Sequence, residues 1–184
     1  MKISADTLIS DLINHTQLCL SKGEAFKSLT EESLNFKQDE LSWSVLECLE
    51  HLNLYGRFYL PEIAKSIKSA DSKREELFKS GWLGNYFANS MLPKEKLNKM
   101  KTFKNMNPLN SRLNKEQVIQ EFIQQQEEML RLLNEARRID LNKAKTNISI
   151  SKWIKLKLGD TFRFVIFHIQ RHLVQAEKVL RIQH

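Results

Sequence analysis

Apolar residues recur at three- and four-residue spacing in four long stretches, the pattern of helices that each bury one face. The first stretch runs from about Ala5 to Ser28, with Leu8, Leu12, Ile13, Leu18 and Leu20 as its apolar positions. The second runs from about Ser44 to Ser69. Ser42 or Ser44 can cap it, because a Ser hydroxyl accepts from an orphan N–H of the first turn. The third runs from about Lys115 to Ile139 behind the capping residue Asn114, with Val118, Ile119, Phe122, Ile123, Met129, Leu130, Leu132 and Leu133. The fourth runs from about Asp160 to Ile182 and follows Gly159. Only 5 Gly and 3 Pro punctuate 184 residues. That is too few for a sandwich or barrel made of many tight turns. The expected fold is all-α, a four-helix bundle in which residues 1–184 form one domain.

The connections are unequal. A moderate loop joins the first two helices, and Gly23 marks an end or a break in the first. Pro61 lies inside the second helix, where a proline removes a backbone hydrogen bond and clashes one turn back, so a kink is expected near Tyr59–Pro61. A long crossover, about residues 69–114, separates helices two and three. A structureless loop of that length is unusual in a compact domain, so it should hold short helical pieces packed over the bundle. It contains the aromatic run Gly81-Trp82-Leu83-Gly84-Asn85-Tyr86-Phe87. The run Asn147–Ile154 alternates loosely in β-branched residues, yet no partner strand is evident. It reads as an extended lead-in to helix four.

Composition excludes several classes of function. Hydrophobic residues make up 41 %, enough for a core. No stretch approaches the roughly 18–20 consecutive apolar residues that span a bilayer. The start Met1-Lys2-Ile3-Ser4-Ala5-Asp6 lacks the basic and apolar regions of a signal peptide, and Cys19 and Cys48 form neither a CxxC motif nor a framework. The expected setting is a reduced cytoplasm, without a membrane partner. The formal charge is +7, from 29 Lys+Arg against 22 Asp+Glu. The basic residues are dispersed, and only 94–104 forms a cluster. It lacks zinc-finger spacing or an RNP-like aromatic motif, so a solvated basic loop is favoured over a nucleic-acid site.

The five histidines discriminate further. His168 and His172 are four apart on a helix, which puts both rings on one face with Cβ atoms about 5–6 Å apart. That spacing lets two imidazoles share a metal ion. At about 100° per residue, Val165, His168, His172, Gln175 and Val179 fall within roughly 40° of one line. Beside them lies a stripe of Phe162, Ile166, Ile169, Leu173, Ala176 and Leu180. The pair therefore sits at the edge of a buried face, where unpartnered imidazoles would each cost about 1–3 kcal/mol. Either a shared metal or separate hydrogen bonds to neighbours satisfies them. His51 lies on a similar mixed seam of helix two, with Ser44, Glu47, Cys48, Tyr55, Phe58 and Glu62. If helices two and four are neighbours, His51 meets the pair, and three neutral imidazoles with one open position match a zinc or nickel site. His15 and His184 have no such context. Glu47 and Glu62 are the nearest carboxylates for an acid/base or supporting role, although capping or an ion pair also accounts for Glu47. Gln175 can bind a ligand or a water. Cys48 can face the site or be a small buried hydrophobe, and Tyr55, Phe58 and Trp82 can wall a pocket or belong to the core.

Two motifs carry a resemblance. Trp43-Ser44-Val45-Leu46-Glu47-Cys48-Leu49-Glu50-His51-Leu52 resembles the Trp…Glu…His-Leu motif of the DinB-like (DNA-damage-inducible) metal-binding four-helix bundles. Phe167-His168-Ile169-Gln170-Arg171-His172-Leu173-Val174-Gln175 resembles that family's HxxxHxxQ ending. The long crossover ending in Asn107-Pro108 fits as well, so the likeness covers about residues 10–182. It implies an up-down-down-up bundle, a zinc or nickel ion on His51, His168 and His172, and a homodimer. It also implies a small-molecule substrate, through a transferase using a low-molecular-weight thiol or through a hydrolase. A metal-binding or scaffold bundle without catalytic activity is the alternative. Pro61 and the charged 69–104 segment depart from the simplest bundle without touching the ligand positions.

Overall fold

The computed structural model describes residues 1–93 and 102–183. Four long helices dominate it: α1 (Ala5–Phe26), α3 (Val45–Lys68), α5 (Lys115–Ala136) and α6 (Leu158–Ile182). Two shorter helices are α2 (Glu31–Asn35) and α4 (Trp82–Met91), and a 3-10 turn spans Lys104–Met106. Helices α1 and α3 each pack on both α5 and α6. They therefore occupy opposite corners of the bundle, and the core between is built from residues such as Leu12, Leu49, Phe122 and Phe162.

Local chemistry fixes the helix ends. Ser44 caps α3: its hydroxyl accepts from the Glu47 N–H at 3.2 Å while the Glu47 carboxylate accepts from the Ser44 N–H at 2.9 Å. This reciprocal box satisfies two orphan donors at once. Asn114 caps α5 by accepting from the Gln117 N–H at 2.9 Å. Helix α3 runs unbroken across Pro61 to Lys68, so the proline does not end it. Gly23 ends nothing either. It lies inside α1, where an added Cβ would stand 2.8 Å from the Phe122 ring, so its bareness lets α1 and α5 approach.

The crossover does contain ordered pieces. Strand β2 (Leu77–Lys79) pairs antiparallel with β1 (Lys2–Ser4), placing Ile3 opposite Phe78, and α4 then packs on α6. The reading of Asn147–Ile154 as an unpaired lead-in is corrected. β3 (Lys145–Ile148) and β4 (Ser151–Lys157) form an antiparallel hairpin around Ser149 and Ile150, with an irregular register at Asn147/Ile148. The run supplies its own partner by folding back, and Thr146, Ile148 and Leu156 point inward. Helix α3 holds the hairpin. The Ser149 N–H donates to the Tyr59 hydroxyl at 3.2 Å, and Glu62 accepts from the backbone and side-chain amides of Asn147 at 3.2 and 2.8 Å. No described helix is long and apolar enough to cross a membrane.

Candidate metal centre

Helices α3 and α6 run in opposite senses, since His51 meets His168 and His172 while Tyr59, two turns on, meets Phe164 further back. The sequence-predicted triad thus comes together. One ligand nitrogen from each of His51, His168 and His172 lies within 4.8 Å of the other two. The ring centroids are 4.6–5.1 Å apart, and the Nε2 atoms of His51 and His168 are 3.2 Å apart. His51 and His168 are buried and His172 is partly buried.

The surroundings prepare these rings as ligands. The His51 Nδ1–H donates to the Met106 carbonyl at 2.6 Å, which fixes the tautomer and leaves a lone pair on Nε2. His172 Nδ1 is 2.9 Å from Gln175 Oε1, which directs its Nε2 to the centre in the same way. Burial holds all three rings neutral: it lowers His51 to about 4 and His172 to about 3, and it pushes His168 well below the usual imidazole value. Neutral imidazoles are the form that binds metal. Three such nitrogens converging beside a cavity fit a zinc-type ion that keeps one coordination position open.

The centre forms part of the wall of a cavity of about 1360 Å³. Gln175 and Tyr55 line it, and burial pushes the Tyr55 hydroxyl up to about 12. The other candidates lie elsewhere. Glu47 is absent from the lining and accepts from Lys37 Nζ at 2.7 Å and the Asn110 N–H at 2.6 Å besides capping α3. Glu62 holds the hairpin. Cys48 is wholly buried, with its thiol pushed far up by burial. Phe58 packs against Tyr59, outside the lining, and Trp82 is 86 % exposed. His15 bonds to Gln170 at 2.9 Å on the α1 side. His184 and 94–101, most of the basic cluster, lie outside the described residues.

Sequence reasoning missed Met106, whose role is played by a backbone carbonyl and leaves no side-chain signal. Trp43 and Arg171 were named only as members of the two motifs and Phe164 not at all, and all three line the cavity. Phe164 was findable: it lies one turn before His168 and its ring stacks on it at 6.0 Å.

The buried neutral rings predict a pH response of the metal-stripped protein. Unfolded histidines titrate near 6.5, and the folded rings titrate lower, so the unfolded state binds more protons between these values. Stability is therefore retained above about pH 6.5 and lost as pH falls from there towards 4, by up to about 1.4 kcal/mol per pH unit for each ring that stays neutral. Urea unfolding at pH 7 and pH 5 measures this, and a flat profile would show the rings are not held neutral.

No curated protein and no solved structure matches the chain. A family model described as the DinB superfamily matches residues 23–176, a span that includes all three converging histidines and the helices that carry them. The chain belongs to the DinB superfamily.

Proposed function

We propose that this protein is a divalent-metal-dependent enzyme in which His51, His168 and His172 hold zinc or nickel, and that it transfers a low-molecular-weight thiol to an electrophilic acceptor. The observation that carries the reading is the convergence of three ligand nitrogens within 4.8 Å at the wall of a cavity large enough for two small reactants. A metal with an open position lowers the pKa of a bound thiol or water and polarises a carbonyl.

The disposition of acids favours thiol transfer over hydrolysis. Activating water generally calls for a positioned base. Glu47 and Glu62 are committed to capping and to the hairpin. Asp39 is the only acid among the described residues lining the cavity. A thiol with a solution pKa near 8.5 needs less help to ionise. His51, Gln175 and Tyr55 then serve to orient and shield: His51 is held by Met106, Gln175 fixes His172, and the Tyr55 ring covers His51 and His168 at 4.9 and 4.6 Å.

The test combines metal-loaded protein with a panel of low-molecular-weight thiols and an alkyl-halide fluorophore. Attack by sulfur forms a carbon–sulfur bond and releases halide. The expected result is metal-dependent product that falls at least about a hundredfold in His168→Ala, since the ligand set is broken. Ester cleavage without thiol would replace this reading with a hydrolase. Silence across the panel with metal binding intact would favour a non-enzymatic metal-binding bundle.

A further inference from the structure

We propose that the end of the large cavity around Phe164 binds the uncharged aromatic part of the substrate, with Phe164 as its specificity-determining residue. That this substrate is the acceptor of the transfer rests on the function proposed above. The binding site itself rests on the chemistry of the cavity wall.

Helix α6 runs along the cavity as a rail. Phe164, His168, His172, Gln175 and Lys178 recur on it at three- and four-residue spacing, and all five line the cavity. The charged groups of the described lining are Asp39, Arg171 and Lys178. Arg171 and Lys178 follow Phe164 by seven and fourteen residues, which is about 10 and 21 Å along a helix axis. Asp39 belongs to the loop that leads into Trp43, and Trp43 packs on His172 with ring centres 5.6 Å apart. Charge therefore gathers from the level of His172 onward, and Phe164 lies on the other side of His168.

Rings dominate the Phe164 end. Phe164 stacks on His168, with 6.0 Å between centres and 9° between planes. Tyr59 of α3 lies 5.7 Å from Phe164 at 59°, and Phe87 of α4 lies 6.3 Å from it at 68°. The β3–β4 hairpin adds Ile148 and Leu156 to the wall. Its Ser149 N–H donates to the Tyr59 hydroxyl at 3.2 Å, so that hydroxyl is already engaged.

This wall selects its ligand. A carboxylate or ammonium brought to the Phe164 end would leave water without meeting an opposite charge on the described lining. An uncharged ring loses little hydration. It also gains offset or edge-to-face contacts, favoured at about 4.5–7 Å between centres, beyond what burial alone gives. Position follows as well. Phe164 stands one helical turn before His168, so a ring resting on Phe164 holds a carbon attached to it beside the histidines. In the transfer, sulfur attacks that carbon. A carbon–sulfur bond forms as the carbon–halogen bond breaks, halide leaves with the bonding electrons, and the thiol proton passes to solvent.

The test first reads binding without chemistry. Three alcohols that share a CH2OH group are titrated by calorimetry into the protein with and without zinc: 4-nitrobenzyl alcohol, cyclohexylmethanol and 4-(hydroxymethyl)benzoate. The nitrobenzyl compound should bind about fivefold more tightly than the cyclohexyl compound and at least about tenfold more tightly than the benzoate. Phe164→Leu and Phe87→Leu should each weaken the nitrobenzyl compound about three- to tenfold and leave the cyclohexyl compound within about twofold. The two variants lie on different helices, so a folding failure in one leaves the other to decide. With thiol and zinc, the KM for 4-nitrobenzyl chloride should rise in both variants. Equal affinity for the three alcohols, or no loss in either variant, overturns the aromatic site and leaves thiol transfer standing. Selective binding that depends on Phe164, without thiol transfer to any halide tried, upholds the aromatic site and overturns the thiol reading.

Discussion

Zinc or nickel added to chelator-stripped protein raises its melting temperature, and His168→Ala abolishes the rise. A ligand that binds only the folded state stabilises it by about 2.7 kcal/mol at a hundredfold excess over its Kd. For a chain of this size that shift is roughly 5–10 °C. His51 and His172 alone would leave a two-nitrogen site on separate helices, without the i,i+4 pair that fixes both rings on α6. His168→Ala also separates the centre from the general packing of the fold. It removes a ring that lies at the cavity wall, while the α6 core residues Ile166 and Leu173 remain. Thermal scans with and without metal are therefore compared within each variant. A wild-type melting temperature indifferent to zinc and nickel would sink the centre, and a variant that still responds would show that other residues bind the ion.

The triad was legible because its chemistry and its periodicity coincide. His168 and His172 share a helix face, and His51 follows a motif that begins at the cap of α3; that the two helices are neighbours, the condition for the three rings to meet, rested on the resemblance and is seen in the fold. The long helices were legible for the same reason; Asn114 announced its role as a cap, and the choice between Ser42 and Ser44 was settled for Ser44 by the fold. What escaped was what depends on distant backbone. The Met106 carbonyl reaches His51 across 55 positions of sequence. Strand β1 finds β2 more than 70 residues away, and three-residue strands are too short to display alternation. The hairpin was hidden differently: the β-branched run straddles its turn, so a single segment was read where two strands face each other. Glu47 shows the limit of reading a helix face. It shares the seam of His51, yet its carboxylate is taken by the cap, Lys37 and the Asn110 amide.

Asp160→Ala should cost about 3–5 kcal/mol, the penalty for leaving a buried charge without its partner. Asp160 is wholly buried in the first turn of α6, and its carboxylate accepts from the Ser80 hydroxyl, from the Gly81 N–H at 2.7 Å and from Arg163 at 3.3 Å. Burial lowers the Arg163 guanidinium below its ordinary value, and the Asp160 charge opposes that shift. Arg163 in turn donates to Asn85 and Asn89 of α4, each at 3.2 Å. The ion pair thus fastens α4 to α6, and Gly84 is bare because a Cβ there would stand 2.4 Å from the Asp160 carboxylate. The consequence reaches the site, because α4 supplies Tyr86 and Phe87 to the cavity wall but none of the metal ligands. Urea denaturation should show the full loss for Asp160→Ala and a smaller one for Asp160→Asn, which keeps the acceptor oxygen and drops the charge. Hydrogen exchange should quicken in α4 before it does in α3. In Asp160→Asn the zinc affinity should stay within about threefold of wild type, because the ligands lie on α3 and α6, while occupancy of the cavity by an acceptor weakens. Unchanged exchange in α4 would mean that apolar contacts such as Phe87 with Phe164, 6.3 Å between ring centres, hold that wall without the ion pair.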